Sequence, residues 1–240
     1  MNKRFRFIFV LWALGFAVLF TGCSRELQQQ HAFISFLQKD VIPRNSGFLI
    51  PNSATRKKFG VYAAHYSLIV EYNKIILDKV VKPLEKSQRE YQGAEKPETN
   101  AEERKEAIIK HREELKSIEE ALDKEFAAVE LKLAALEQPD EVKEVYVQAV
   151  EKHVRIPATG LKNLISSIEL MLNKSLDLMD YIIANKGKVE IKDGMIQVDI
   201  NKRDYQSTLD RLDEMQREIR DMADAIQVQH TGNVRQSIGR

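Results

Sequence analysis

One cysteine, Cys23, is all that the chain carries in 240 residues. An internal disulfide is excluded, and so is a cysteine-built metal cluster. Glycine and proline are sparse, at ten and six. They fall at joints between long stretches free of either, which suits long helices. Charge of one sign is missing too: the net charge is +1, and without the three cations Lys3, Arg4 and Arg6 the remainder stands at −2. A near-neutral body lacks the basic face of a nucleic-acid binder, so no nucleic-acid partner is expected. Beyond Phe7–Phe20 there is no second long apolar run, so no other segment is expected to span a bilayer. The histidines His31, His65, His111, His153 and His230 never stand three or four apart. No His-Glu-x-x-His helix exists, and a zinc site assembled across helices is the one remaining route to a metal. A Gly-x-Ser-x-Gly elbow and a phosphate-cradling glycine loop are both absent. Carboxylates are plentiful but alternate with Lys and Arg on helix faces, the pattern of solvated i, i+4 pairs. The expectation is a protein without catalytic residues, metal or cofactor.

What is present begins with residues 1–23, MNKRFRFIFVLWALGFAVLFTGC. Basic residues, an apolar run and small residues before the cysteine follow the order of a bacterial export signal. The run is short for a bilayer span, which needs about 20 residues. The small-residue site before Cys23 resembles the lipobox of bacterial lipoproteins, with Phe20 where leucine is usual. That resemblance implies cleavage between Gly22 and Cys23 and acylation of Cys23. An uncleaved anchor, or cleavage without lipidation, are the alternatives. Acylation also removes a thiol that is a liability in an oxidising compartment, and several acyl chains make attachment stable where one is marginal. By analogy with enterobacterial lipoproteins, Ser24 rather than aspartate implies an outer-membrane address facing the periplasm.

The remaining pattern is helical. A polar tether, residues 23–30, leads to a helix from about Leu27 to Ile42 with Phe33, Phe36, Leu37 and Val41 on one face. Pro43 ends it. Phe48, Leu49 and Ile50 are apolar enough to pack back from the following loop. Ser53 is the expected cap of a second, long helix reaching about Tyr91. Its stripe is Phe59, Tyr62, Tyr66, Ile69, Val70, Leu77, Val80 and Leu84, with Pro83 expected to kink or shorten it. Gly93–Pro97 is the next break. Asn100 with Glu103 makes a capping box for a third helix. There Ile108, Leu115, Leu122, Val129 and Leu136 recur every seven residues, beside Ile118, Phe126 and Leu133, as in a coiled-coil seam. The pairs Ala127-Ala128 and Ala134-Ala135 thin that helix for close approach. Pro139 closes it and Asp140 caps a short fourth helix to about His153. Pro157 opens a fifth, whose Leu161, Leu164, Ile165, Ile168, Leu172, Leu176, Met179 and Ile182 form a wide apolar face.

Residues 188–200 change period. Val189 and Ile191, then Ile196 and Val198, alternate around Asp193-Gly194, a two-residue hairpin signal. The register that pairs Ile191 with Ile196 also pairs Val189 with Val198, and such a hairpin is expected to lie on the bundle. Asn201 is the expected cap of the last helix, with Asp204 at its third position and Tyr205, Leu209, Leu212, Met215, Ile219, Met222 and Ile226 as its seam. Closure of that seam on the third helix within one chain is favoured over a partner chain. From residue 229 the pattern stops, which predicts a disordered tail.

Ala32-Phe33-Ile34-Ser35-Phe36-Leu37-Gln38, Lys57-Lys58-Phe59-Gly60 and Asp180-Tyr181-Ile182 before the hairpin resemble the enterobacterial lipoprotein family typified by YiaF, grouped as a domain of unknown function. The resemblance covers about residues 25–215. It supports the address and the fold, and it implies no catalytic residues.

The sequence therefore predicts an all-α, elongated helical bundle over residues 31–228 with coiled-coil-like long helices and one small β-hairpin. A signal peptide, residues 1–22, precedes the tether. The expected role is a non-enzymatic, periplasm-facing interaction or scaffold module, held to the membrane by lipid and meeting an envelope protein partner. The alternative is a binding protein for a small apolar or lipid ligand between helices. Tyr62 and Tyr66, on one face, either line such a groove or pack at the end of the bundle, with Tyr72 rotated from them. A convergent His–carboxylate pair in a cleft would favour an enzyme instead. Replacing Cys23 with alanine is expected to abolish the acyl mass increment at the mature N-terminus and to release the chain from the membrane fraction. Intact-mass analysis with fractionation measures both, and unchanged processing and attachment would refute lipidation.

Overall fold

The computed structural model describes residues 25–44, 49–94, 96 and 99–238, with side chains as far as 226. The expected signal, Gly22, Cys23, the start of the tether and Phe48 lie outside the described residues. The described residues are almost wholly helical. Residues 25–36 form α1, followed by α2 (Ser53–Phe59), α3 (Tyr62–Ile76), α4 (Lys82–Ala94), α5 (Ala101–Ala134), α6 (Asp140–Val150), α7 (Ile156–Ala184), the strands β1 (Val189–Lys192) and β2 (Met195–Val198), and α8 (Tyr205–Ile238). Among the described residues no helix is long and apolar enough to cross a membrane.

Three π-helical turns, Leu37–Val41, Leu77–Val81 and Glu151–Arg155, interrupt these helices. Each ends two residues before a proline: Pro43, Pro83 and Pro157. A proline ring collides with the carbonyl four residues back and offers that carbonyl no N–H. Lys39, Lys79 and His153 carry those carbonyls, and each lies inside its π turn. Opening the turn to i→i−5 bonding, as in Ile42 N–H to Leu37 O and Lys82 N–H to Leu77 O, makes room for the ring; the helix then continues past Pro83 and Pro157 and ends at Pro43. Two expectations change accordingly. Pro157 does not open a new helix, because α6 runs through its π turn into α7. Pro83 does not shorten the second helical run, which passes through its π turn to Ala94, and Ile76, a heptad on from Ile69, takes the buried place expected for Leu77, which is 43% exposed.

The real break in the second helix comes earlier. Gly60 has φ 56° and ψ −124°, a conformation open essentially to glycine, and it separates α2 from α3. Other helix starts shift by a residue or more. Asn52, not Ser53, caps α2 by accepting the Thr55 N–H at 2.9 Å. Pro139 occupies the cap position of α6, so Asp140 is already helical. Asn201 stays in the loop, its N–H on the Asp199 carboxylate at 3.0 Å, and α8 starts at Tyr205. The Asn100–Glu103 box forms as the sequence predicts, with both reciprocal bonds made at 3.0 and 2.9 Å. The segment expected to be a tail is helical to Ile238; no proline after Pro157 stops propagation, which adds a bond per residue once a helix exists.

The chain divides into two compact units, residues 1–71 with 131–155, and residues 72–130 with 156–240. In the first, α1 and the π turn after it supply the face read from the sequence: Phe33, Phe36, Leu37 and Val41 are all buried. Phe33 stacks on Tyr62 at 5.5 Å and meets Phe59 edge-on at 5.4 Å, while Phe36 meets Tyr66 edge-on at 5.1 Å. Ile50 does not join them and is 67% exposed. His153, in the third π turn, donates Nε2–H to the carbonyl of Val41 in the first at 3.0 Å.

In the second unit α8 lies along α7, and the hairpin rests on both, β1 against α7 and β2 against α8. This arrangement replaces the expected closure of α8 on α5. The α5 seam of Ile108, Leu115, Ile118, Leu122 and Val129 is buried, but both alanine pairs of that helix are exposed and mediate no close approach. The α7 face is buried at Ile165, Ile168, Leu172, Leu178, Met179 and Ile182. The hairpin has the predicted register, Val189 opposite Val198 and Ile191 opposite Ile196. Asp193 at φ 51° and Gly194 at φ 77° make its turn, whose backbone twist matches that of the strands.

A methyl group on Gly60 would meet Gln29 Oε1 at 1.9 Å in a backbone state hostile to alanine. Gly60→Ala is expected to cost about 2 kcal/mol of stability. Adding Gln29→Ala should recover the steric part and leave the backbone part, as read by urea denaturation of the single and double variants.

Candidate functional site

The second unit holds a cavity of about 530 Å³ beneath the hairpin. Helical spacing assembles its walls. Arg104 and Ile108 stand four apart on α5, Ser175, Leu178 and Met179 share a face of α7, and Gln216 and Ile219 are three apart on α8. Tyr91 closes one side from α4, while Ile191 and Ile196 face in from the paired strands with Gly194 and Met195 at the turn. Ile108, Leu178 and Met179 are buried and make the apolar floor; Met195, 63% exposed, forms part of the rim. Across this cavity the seams of α5 and α8 confront each other without closing.

Arg104 is the one formally charged side chain of the lining. Its Nε donates to the Thr99 carbonyl at 3.2 Å and its Nη2 to the Lys96 carbonyl at 3.3 Å. These bonds orient the guanidinium, and among the described residues no carboxylate pairs with it. The Ser175 hydroxyl turns back to its own helix, donating to the Met171 carbonyl at 3.1 Å.

Behind Tyr91 lies a polar cluster that sequence reading missed. The Tyr91 ring stacks on His111 at 4.8 Å with an interplanar angle of 9°. His111 Nδ1 is 2.7 Å from Ser87 Oγ, which is 2.5 Å from Glu114 Oε2. A carboxylate only accepts, so Ser87 donates to Glu114 and His111 Nδ1–H donates to Ser87. Activation of a serine needs the opposite order, with the imidazole accepting from the hydroxyl and an acid orienting the imidazole. The serine here is a link in a relay. His111 Nε2 is left buried without a hydrogen-bond partner. Ser87 and Glu114 also line a second cavity of about 260 Å³ with Pro83, Lys86, Glu90, Ser117 and Ile118. The only signal in the sequence was a histidine and a serine on buried helix faces, which is ordinary core composition.

The residues singled out by sequence lie elsewhere. Tyr62 and Tyr66 are 2% and 1% exposed in the aromatic cluster of the first unit, against Phe33 and Phe36, and neither lines the cavity under the hairpin. The Tyr66 hydroxyl donates to the Leu49 carbonyl at 2.8 Å, and burial raises its pKa to about 12. Tyr72 is buried too, on the same stripe as Ile69 and Ile76. Its hydroxyl has no partner, and burial, with Glu130 and Glu125 nearby, pushes it up to about 12. No group of three metal-ligating side chains occurs among the described residues.

These features define a class: a helical protein with one hairpin and a small amphipathic cavity in its second unit. The chain belongs to the family described as "Protein of unknown function (DUF3053)", whose model matches residues 11–231. The relatives it resembles are named "Uncharacterized protein YiaF". That of Escherichia coli strain K12 is 26% identical over 178 residues, covering 72% of this chain and 73% of the relative. Those of Escherichia coli O157:H7 and Shigella flexneri match with the same 26% identity and the same coverage. No solved structure matches the chain.

Burial holds His65, His111 and His153 below their ordinary value of 6.5. Their neutral forms belong to the fold, so below that pH the unfolded chain binds more protons than the folded one. Stability is then fully present above about pH 6.5 and declines on acidification. Urea unfolding at about pH 7.5 and about pH 5.5 should show this, and His111→Asn should flatten the slope by at most about 1.4 kcal/mol per pH unit.

Proposed function

We propose that this protein is a non-enzymatic, lipid-tethered component of the cell envelope whose second unit binds a small apolar ligand. The observation that carries the reading is the cavity of about 530 Å³ under the hairpin. Its volume falls in the range of small-molecule sites, about 300–1,000 Å³. Its lining is mixed, an apolar floor of Ile108, Leu178 and Met179 beside the polar groups of Arg104, Ser175 and Gln216. The tether rests on the lipobox-like sequence at Cys23, and the outer-membrane, periplasm-facing address on Ser24.

The interaction-module reading has a separate footing. Ile219, Met222 and Ile226 continue the α8 stripe but are only half-buried, so this end of the helix retains apolar surface for an envelope partner. Crosslinking in intact envelopes tests it, and recovery of the protein alone would count against it.

Ile196→Trp places a larger ring in the wall of the cavity. Organic extracts of protein purified from envelopes are expected to contain a small apolar molecule for the wild type, and several-fold less of it for this variant. Identical extracts from the two proteins would remove the ligand reading.

A further inference from the structure

We propose that the cavity under the hairpin takes an amphiphile with an anionic head, its carboxylate or phosphate held by Arg104 and its apolar tail lying along Ile108, Met179, Ile191 and Ile196. This rests on the ligand reading above and adds the class of ligand to it.

Two independent observations meet here. The first is the cavity itself, whose floor is apolar and buried while its rim is open at Met195. A tail gains by leaving water for such a floor at about 25 cal/mol per Å² of apolar surface. The second is the state of Arg104. Lysines nearby have acidic partners: Lys105 pairs with Asp180 and Lys186 with Glu102. Arg104, half-buried on the cavity wall, has two backbone carbonyls and no carboxylate among the described residues. Carbonyl bonds hold the fork in place and leave other N–H groups of the guanidinium to donate. An oriented guanidinium next to apolar surface is the arrangement that binds carboxylate or phosphate through charge-assisted bonds. A neutral ligand of the same shape would desolvate that charge without supplying an anionic partner. Tyr91 supplies the remaining wall, and its ring is fixed from behind by the His111 stack. The pocket wall is thereby set before a ligand arrives, which lowers the ordering cost of binding.

The test uses the full chain in envelope membranes and three photoreactive alkyl probes of equal chain length, with carboxylate, phosphate or alcohol heads. The expected result is labelling of the peptides containing Ile108 and Ile196 by both anionic probes, about tenfold above the alcohol. Arg104→Gln should bring the anionic probes down to the level of the alcohol, while Arg104→Lys, which keeps the charge but cannot reproduce the fork, should retain most of the preference. Excess inorganic phosphate should not compete, because it has no tail; competition would overturn the amphiphile in favour of a free anion. Equal labelling by all three heads, unchanged in Arg104→Gln, would overturn the anionic assignment and leave the apolar site standing. Absence of labelling at both peptides by every probe would overturn the site as well.

Discussion

A single steric constraint shapes the helices of this protein: a proline ring cannot sit beside the carbonyl four residues behind it. At Pro43, Pro83 and Pro157 the preceding turn is widened to π geometry, and the chain stays helical through Pro83 and Pro157. The widened turns then take part in tertiary structure. Val41 at the end of one supplies the carbonyl for the imidazole of His153 in another. A proline that reads as a stop in sequence acts as a local change of pitch. It costs an ideal bond of the helix ladder without requiring the helix to stop.

The two units use polar groups differently. In the first, tyrosine hydroxyls are satisfied by backbone carbonyls, Tyr66 by Leu49 and Tyr146 by His65 at 2.6 Å. Tyr66 and Tyr146 thus pack in the aromatic cluster with their polar ends closed off. In the second, among the described residues, the buried atoms Tyr72 Oη and His111 Nε2 are left without partners, and the half-buried cation Arg104 has no counter-charge. Unmade bonds of this kind are expensive in a low-dielectric interior. The second unit is also where the cavity lies, and the stack of Tyr91 on His111 joins its wall to the Ser87–Glu114 relay. Surface ion pairs such as Lys79–Glu125 at 2.6 Å and Lys162–Asp123 at 2.9 Å contribute little by comparison, because solvent screens them.

The fold was legible where the code is local. The α1 face, the heptads of α5, the Asn100–Glu103 box and the register around Asp193-Gly194 follow from spacing and from residues within a few positions of one another. The errors have equally specific causes. Ser53, Asp140 and Asn201 are all competent caps, but in each case a neighbour set the helix boundary. Gly60 passed as an ordinary helical glycine because its positive φ arises only where the fold breaks α2 from α3. The candidate site was hardly legible. Tyr62 and Tyr66 attracted notice as aromatic residues on a face, and aromatic residues on a face are also what a core requires.

The amino-acid order alone determined the helical class, the hairpin and its register, and the apolar stripes, since period and turn chemistry act over a few residues and need no distant partner. Tertiary structure decided which stripes met. It laid α8 on α7, left α5 and α8 facing each other across a cavity, brought Ser87, His111 and Glu114 into line, and set Arg104 on an apolar wall. Those outcomes depend on helices separated by tens of residues competing for the same surface, and a repeat of apolar residues states only that a partner is wanted.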